Sequence, residues 1–221
     1  MALQIVIGDR NYSSWSMRGW LPLAQVAAKT GVAFSEVLIR LDQANTASSI
    51  AQYSPTGKIP CLIDGETLVW DTMAIAEYLA ESYPSVPLWP TAQAARARAR
   101  SIVAEMHSGF TSLRSACPMN IKLDMPSFKP SPEVQADLAR IDALWRDCRN
   151  QFATGGPYLF GAEAGIADWF FAPVVMRINS YHLPLSPEGL DYCRALSHHP
   201  LVAQWITAAR AENWEIGRYR I

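Results

Sequence analysis

No stretch of this chain approaches the roughly 18 consecutive apolar residues that a helix needs to cross a bilayer, so no membrane span is expected. Neither sign of charge dominates. The 19 Lys and Arg stand against 20 Asp and Glu, a formal net charge of −1. A nucleic-acid-binding face needs a basic surplus, and none is present. Cysteine is sparse: Cys61, Cys117, Cys148 and Cys193 are far apart, with no C-x-x-C pair and no Cys/His cluster. That spacing argues against structural zinc and against a redox dithiol. It does not make a disulfide scaffold either, so reduced thiols in a cytoplasmic protein are expected. Met1-Ala2-Leu3-Gln4 runs straight into a strand pattern without a basic segment, so no secretory signal is expected. Internal repeats and low-complexity tracts are also missing.

What is there is a large apolar fraction, 50% of 221 residues, enough for a full core in one large domain or two small ones. Leu3 to Ile7, ending at Gly8, reads as a buried strand. Residues 16–29 carry Met17, Trp20, Leu21, Leu23, Ala24 and Ala27 at helical spacing, closed near Gly31. Pro22 inside that run predicts a kink or a late helix start. Phe34 to Leu41 is a second strand, and residues 42–53 a polar segment with at most a short irregular helix. Pro60 to Ile63 and Leu68 to Trp70 are strands joined at Asp64-Gly65, a strong two-residue hairpin signal. Thr72 to Ser82 is a helix with Ile75, Tyr78 and Leu79 on one face.

This order is βαβ, a variable segment, then ββα. The crossover is parallel and the hairpin antiparallel, so the sheet is mixed and four-stranded, in the order of a thioredoxin-like domain over residues 1–83. Residues 84–90 hold three prolines and form the linker. Residues 91–221 read as all-helical. Thr91 caps a long helix to about Ala116, and Ser131-Pro132-Glu133 starts another. The stripe of that second helix is Val134, Leu138, Ile141, Leu144, Trp145 and Cys148. Ile166 to Tyr181 is apolar all round, the centre of a bundle. Leu201 to Ala211 is the last helix.

Three short segments carry the chemistry: Ser13-Ser14-Trp15-Ser16, Ser54-Pro55-Thr56-Gly57-Lys58-Ile59-Pro60, and Asp71-Thr72. With the linker and the helical half, they resemble the glutathione S-transferase family over the whole chain. The second segment looks like the family's run ending in a cis-proline. Asp71-Thr72 looks like its acidic-plus-hydroxyl pair. Gly165-Ile166-Ala167-Asp168 resembles the capping box of its central helix, with Gly165 where the family has Ser or Thr. Ser13-Ser14-Trp15-Ser16 is similar to the serine motif of the zeta class, which includes maleylacetoacetate isomerases; Trp15 stands where that class has Cys.

The resemblance implies a site for glutathione as co-substrate, without a metal. Ser13, or its neighbour Ser14, would donate to the thiolate. A serine hydroxyl is too weak a base to take the thiol proton, but donation to the sulfur favours the charged form, and a helix N-terminus adds partial positive charge. A free thiol titrates near pH 8.5, and each unit of lowering needs about 1.4 kcal/mol. One hydrogen bond to a charged group supplies roughly 1.5–3 kcal/mol, so one to two units are within reach. Ser13-x-x-Ser16 stands where redox relatives of this fold carry C-x-x-C, and two hydroxyls form no disulfide. A serine there can also be a plain helix cap.

Ile59-Pro60 would be a cis bond, offering the Ile59 backbone to the cysteinyl part of the tripeptide as an added strand. Lys58 could reach a peptide carboxylate. Asp71 would accept the γ-glutamyl ammonium, and Thr72 at a helix start would hold its carboxylate. Asp71 can equally be only the N-cap of that helix. Arg18 reads as a structural ion pair, and Asp168 as a folding residue.

The leading expectation is a cytoplasmic glutathione transferase, with a role in detoxification, whose thiolate attacks a small, fairly apolar electrophile. A glutathione-dependent cis–trans isomerase of the maleylacetoacetate type is the alternative, and a non-catalytic glutathione-binding or interaction protein on the same fold the third. The resemblance also implies a homodimer.

Overall fold

The computed structural model of the chain describes residues 3–217. The elements run β1 (Leu3–Gly8), α1 (Ser14–Thr30), β2 (Phe34–Ile39), α2 (Thr46–Ala51), β3 (Cys61–Asp64), β4 (Thr67–Val69) and α3 (Thr72–Ser82). They continue as α4 (Gln93–Ser108), α5 (Thr111–Ala116), α6 (Pro132–Phe152), α7 (Ile166–Tyr181), α8 (Pro187–Ser197) and α9 (Pro200–Ala211). Two compact units form: Met1–Val86 together with Gln204–Ile221, and Pro87–Ala203. Gln204 to Gly217 thus fall within the first unit.

In the first unit the sheet order is β2-β1-β3-β4. β1 runs parallel to β2, from Leu3 opposite Phe34 to Gly8 opposite Ile39. It runs antiparallel to β3, with Val6 opposite Cys61, and β3 runs antiparallel to β4, with Leu62 opposite Val69. The sheet is mixed, as expected. β1 is central, which is why its sequence is an unbroken apolar run rather than an alternation. Val6 packs with Ile39, Ile50 and Cys61. Its neighbour Ile5 points to the opposite face, where it approaches α1 at Gly19.

α1 starts earlier than the sequence suggested, because Ser13 supplies the cap. Pro22 lies well inside it rather than before it. The lost N–H costs one hydrogen bond, but Met17, Trp20, Leu21, Leu23 and Val26 are all fully or almost fully buried, and that packing dominates. The helix closes at Gly31 in the left-handed region, φ 77°. In the β3–β4 hairpin Asp64 pairs with Thr67, so the two loop residues are Gly65 and Glu66, one position later than expected. Gly65 has φ 61°, the positive value that a II′ turn places at its first central residue.

In the second unit the long helix expected from Thr91 to Ala116 is two helices. Gly109 and the left-handed Phe110 (φ 56°) separate α4 from α5, and the N-cap is Ala92. A Cβ at Gly109 would lie 2.7 Å from the Glu105 carbonyl oxygen, so only glycine allows this break. α6 begins at the Ser131 cap, and its six stripe residues are all buried. α7 is buried at every position except Asn179 and packs against α4 and α8. The sequence reading missed α8, although Ser186-Pro187-Glu188 repeats the Ser-Pro-Glu start of α6.

Candidate functional site

The strand register places all three motif segments at one end of the sheet. β1 leaves at Gly8 and reaches the Ser13 cap of α1 within five residues. Cys61 lies opposite Val6, so Pro60 and Ile59 come level with that end of β1. Val69 lies opposite Leu62, so β4 exits into Asp71 at the same end. Pro60 is buried and packs on α1: a Cβ on Gly19 would lie 2.8 Å from Pro60 Cγ. A glycine inside this helix is what lets the proline come so close. The Ile59–Pro60 bond is cis, as the resemblance implied, and so is Trp70–Asp71.

Ser13 caps α1, its Oγ accepting the Ser16 N–H at 3.2 Å. The same Oγ donates to Ser16 Oγ at 2.7 Å, and Ser16 Oγ also accepts the Gly8 N–H at 2.9 Å. Ser14 is buried to a similar degree, and its side chain has no hydrogen bond among the described residues. Arg18 is fully buried, with its guanidinium 4.8 Å from the centre of the Trp15 ring. That is a cation–π contact.

Asp71 caps α3, its carboxylate accepting the Met73 N–H at 3.0 Å. Thr72 is 1% exposed, and its hydroxyl has no hydrogen-bond partner among the described residues. A buried hydroxyl without a partner, at a helix N-terminus, is an unmet demand that a ligand can satisfy. Ser54 to Gly57 form a turn closed by Gly57 N–H to the Ser54 carbonyl at 3.2 Å, with Gly57 at φ 66°. The turn leads into exposed Lys58 and half-buried Ile59.

The loop that carries Ser13 is held by residues the sequence reading did not single out. Glu212 accepts the backbone N–H groups of Arg10 at 2.7 Å and Asn11 at 3.1 Å. Trp205 Nε1 donates to the Arg10 carbonyl, and Trp214 Nε1 donates to Asp9 Oδ1. Asp9 also accepts the Leu41 N–H, and its own carbonyl accepts from Tyr12 and Ser13. Burial raises both carboxyls, Asp9 and Glu212, above the ordinary range, while the hydrogen bonds they accept oppose that rise. No local signal links Glu212 to residue 10. By contrast, Ser16 could be read from the Ser-x-x-Ser spacing of a cap and its third helical residue.

The four cysteines are free and buried, and burial alone pushes the Cys61 thiol up to about 11. None is a poised thiolate. No group of three or more His, Cys, Asp or Glu among the described residues is arranged to hold a metal. No helix among them is long and apolar enough to cross a membrane. A cavity of about 350 Å³ in the second unit, lined by Trp89, Phe152 and Phe160 among others, contains none of the candidate site residues.

Residues 11–81 match the family described as Glutathione S-transferase, N-terminal domain, and residues 131–208 that described as Glutathione S-transferase, C-terminal domain. The chain is 28% identical over 197 residues to glutathione S-transferase theta-3 of Mus musculus, covering 86% of this chain and 76% of that protein. It is 26% identical over 181 residues to a probable maleylacetoacetate isomerase of Caenorhabditis elegans, covering 80% and 81%. Among solved structures, a glutathione transferase homolog from Burkholderia gl BGR1 with bound glutathione superposes with a TM-score of 0.71 at 22% identity, covering 96% of this chain and all 100% of that one. The theta class glutathione S-transferase of Xanthomonas axonopodis pv. citri, also with glutathione bound, gives 0.65 at 21% identity, covering 93% and 97%. At these identities the two structures establish the fold.

Proposed function

The chain belongs to the glutathione S-transferase family by both matched domains, and on that premise we propose that it is an enzyme that binds glutathione at the sheet end described above and presents its thiolate to a small, fairly apolar electrophile. The observation that carries this reading is the Thr72 hydroxyl, buried and without a partner at the head of α3, on the same sheet end as the Ser13 cap and the cis Ile59–Pro60 bond. In this reading Thr72 and the α3 N-terminus hold the γ-glutamyl carboxylate, and Asp71 takes the γ-glutamyl ammonium. Ile59 pairs with the cysteinyl backbone, Pro60 fixes its direction, and Lys58 meets a terminal carboxylate. The sulfur then lies at the α1 N-terminus, where Ser13 donates to it. Ser14, whose hydroxyl is uncommitted, is the rival donor.

Calorimetry and turnover test this. Glutathione should bind the wild type and bind more weakly to Asp71→Ala. Conjugation of a generic aromatic electrophile should be lost in Ser13→Ala and kept in Ser14→Ala. The reverse pattern would move the role to Ser14. No measurable glutathione binding would remove the proposal altogether.

A second reading is supported by the similarity to the Caenorhabditis elegans isomerase and by the Ser13-Ser14 pair. The same thiolate would add to a conjugated diacid and then be expelled. Isomerisation of such a diacid at a rate exceeding conjugation would favour it. We place the protein in the cytoplasm as a homodimer; sedimentation of the pure chain tests the dimer.

A further inference from the structure

The second unit holds two buried N–H donors, on Trp145 and Arg149, that its fold does not satisfy. The two residues stand one turn apart on α6, so they share a face of that helix. Trp145 is fully buried, its ring packed on those of Phe171 and Tyr192 at centroid distances of 5.5 and 4.7 Å. Its Nε1 has no hydrogen-bond partner among the described residues, and neither has the buried Nε of Arg149. Nearly every buried donor in a folded protein is paired, so two unpaired donors on one helix face call for an acceptor from outside the chain. Both residues line one cavity of about 480 Å³, between the end of α6, the 153–156 turn and the first turns of α8. That volume suits a small molecule.

Charge narrows the class of ligand. Of the two arginines that line the cavity, Arg146 is paired with Asp142 at 3.3 Å. Arg149 has no carboxylate partner among the described residues; its Nη1 donates to the Glu188 backbone carbonyl at 3.0 Å. A half-buried guanidinium held by a carbonyl alone keeps an uncompensated charge. On the α8 side Asp191 is paired with Arg194, and Glu188 is exposed, without an ion pair among the described residues. One negative charge on a ligand is therefore matched by Arg149, while a second would meet Glu188. We propose that this cavity binds a small monoanionic carboxylate, whose oxygens accept from Arg149 Nε and Trp145 Nε1. None of the residues assigned to glutathione lines the cavity, so the proposal does not rest on that assignment.

The test uses the indole N–H signals of the 8 tryptophans in a proton–nitrogen correlation spectrum of the full chain. The Trp145 signal is assigned by its loss in Trp145→Phe or, if that variant does not fold, by its Overhauser contacts with the Phe171 and Tyr192 rings. Benzoate is the probe. It should move the Trp145 signal downfield and saturably, as an indole N–H moves when it gains an acceptor. Benzamide has the same shape without the charge, and it should bind about tenfold more weakly. Benzoate should bind Arg149→Gln about tenfold more weakly than the wild type, the worth of one charge-assisted hydrogen bond. Inorganic phosphate, as the dianion, should bind more weakly than benzoate, and Glu188→Gln should narrow that difference. An unmoved Trp145 signal overturns the proposal, as does a shift confined to another indole such as Trp89. Equal binding of benzamide and benzoate also overturns it. Tighter binding of phosphate than of benzoate would overturn the assignment to a monoanion.

Discussion

The Glu212 carboxylate accepts the backbone N–H of Arg10 at 2.7 Å, across 202 positions of sequence. Its other oxygen takes the Asn11 N–H. Two backbone donors, one part-buried and one buried, three residues or fewer before Ser13, thus depend on one side chain from the far end of the chain. Glu212→Gln offers one oxygen and one NH2 group, so one donor faces another donor. The variant should lose roughly 1–3 kcal/mol of stability. Its kcat/KM with glutathione should fall because the Ser13 loop is no longer held. Urea unfolding and steady-state kinetics read the two effects separately.

Gly19→Ala should be destabilising, against the usual gain of about 1 kcal/mol when alanine replaces glycine in a helix. The new Cβ would stand 2.8 Å from Pro60 Cγ, on the opposing segment rather than on a flexible tip. Overpacking of this kind costs roughly 1–3 kcal/mol. Displacement of Pro60 should also weaken glutathione binding. A thermal melt above the wild type with unchanged binding would show that the close approach is not needed.

Thr72→Val should have opposite effects on stability and on binding. The hydroxyl has no partner among the described residues, so removing it should leave stability unchanged or raise it by up to about 1 kcal/mol. If the hydroxyl serves the γ-glutamyl carboxylate, glutathione affinity should fall by about tenfold, the worth of one charge-assisted hydrogen bond. A melt and a calorimetric titration on one preparation decide it.

Asp168 sets a pH dependence of folding. Its carboxylate accepts from Gly165 N–H, Leu159 N–H and the Tyr192 hydroxyl, yet burial pushes its pKa up from 3.8 to about 6. Between those two values the folded protein keeps a proton that the unfolded chain has released. Stability from this group is therefore full below about pH 4 and declines as the pH rises through about 6. Asp168→Asn carries no such slope. Its stability relative to wild type should improve by on the order of 3 kcal/mol between pH 4 and pH 7, on top of a constant cost for the lost acceptor. Urea midpoints across that range measure it. Parallel curves for the two proteins would refute the assignment.

Much of the fold was legible because its determinants are local. The apolar run of β1, the Ser131-Pro132-Glu133 start and the six-residue stripe of α6 each state their element within one or two turns of chain. Where the reading slipped, two local signals competed or one was passed over. Pro22 argued for a late helix start, but burial of the surrounding face outweighed one missing hydrogen bond. Residues 91–116 read as one long helix, while Phe110 in the left-handed region ended it. At Gly165 only half a capping box forms: Asp168 accepts the Gly165 N–H at 2.9 Å, and glycine has no side chain to reciprocate.

The sequence by itself determined the element order of residues 1–83, the mixed sheet and the types of residue at the candidate site, because periodicity, caps and turn residues act over a few positions. Only the tertiary structure decided which of those residues meet. Strand register brought Ile59, Pro60 and Asp71 to the end of the sheet where Ser13 starts its helix. Pairing across the chain gave the Ser13 loop its hold through Glu212, Trp205 and Trp214. The division of hydrogen bonds between Ser13 and Ser16 likewise depends on Gly8 of β1 lying beneath them. Such contacts join residues that share no local pattern, and a buried donor takes whichever acceptor the fold brings within 3 Å of it.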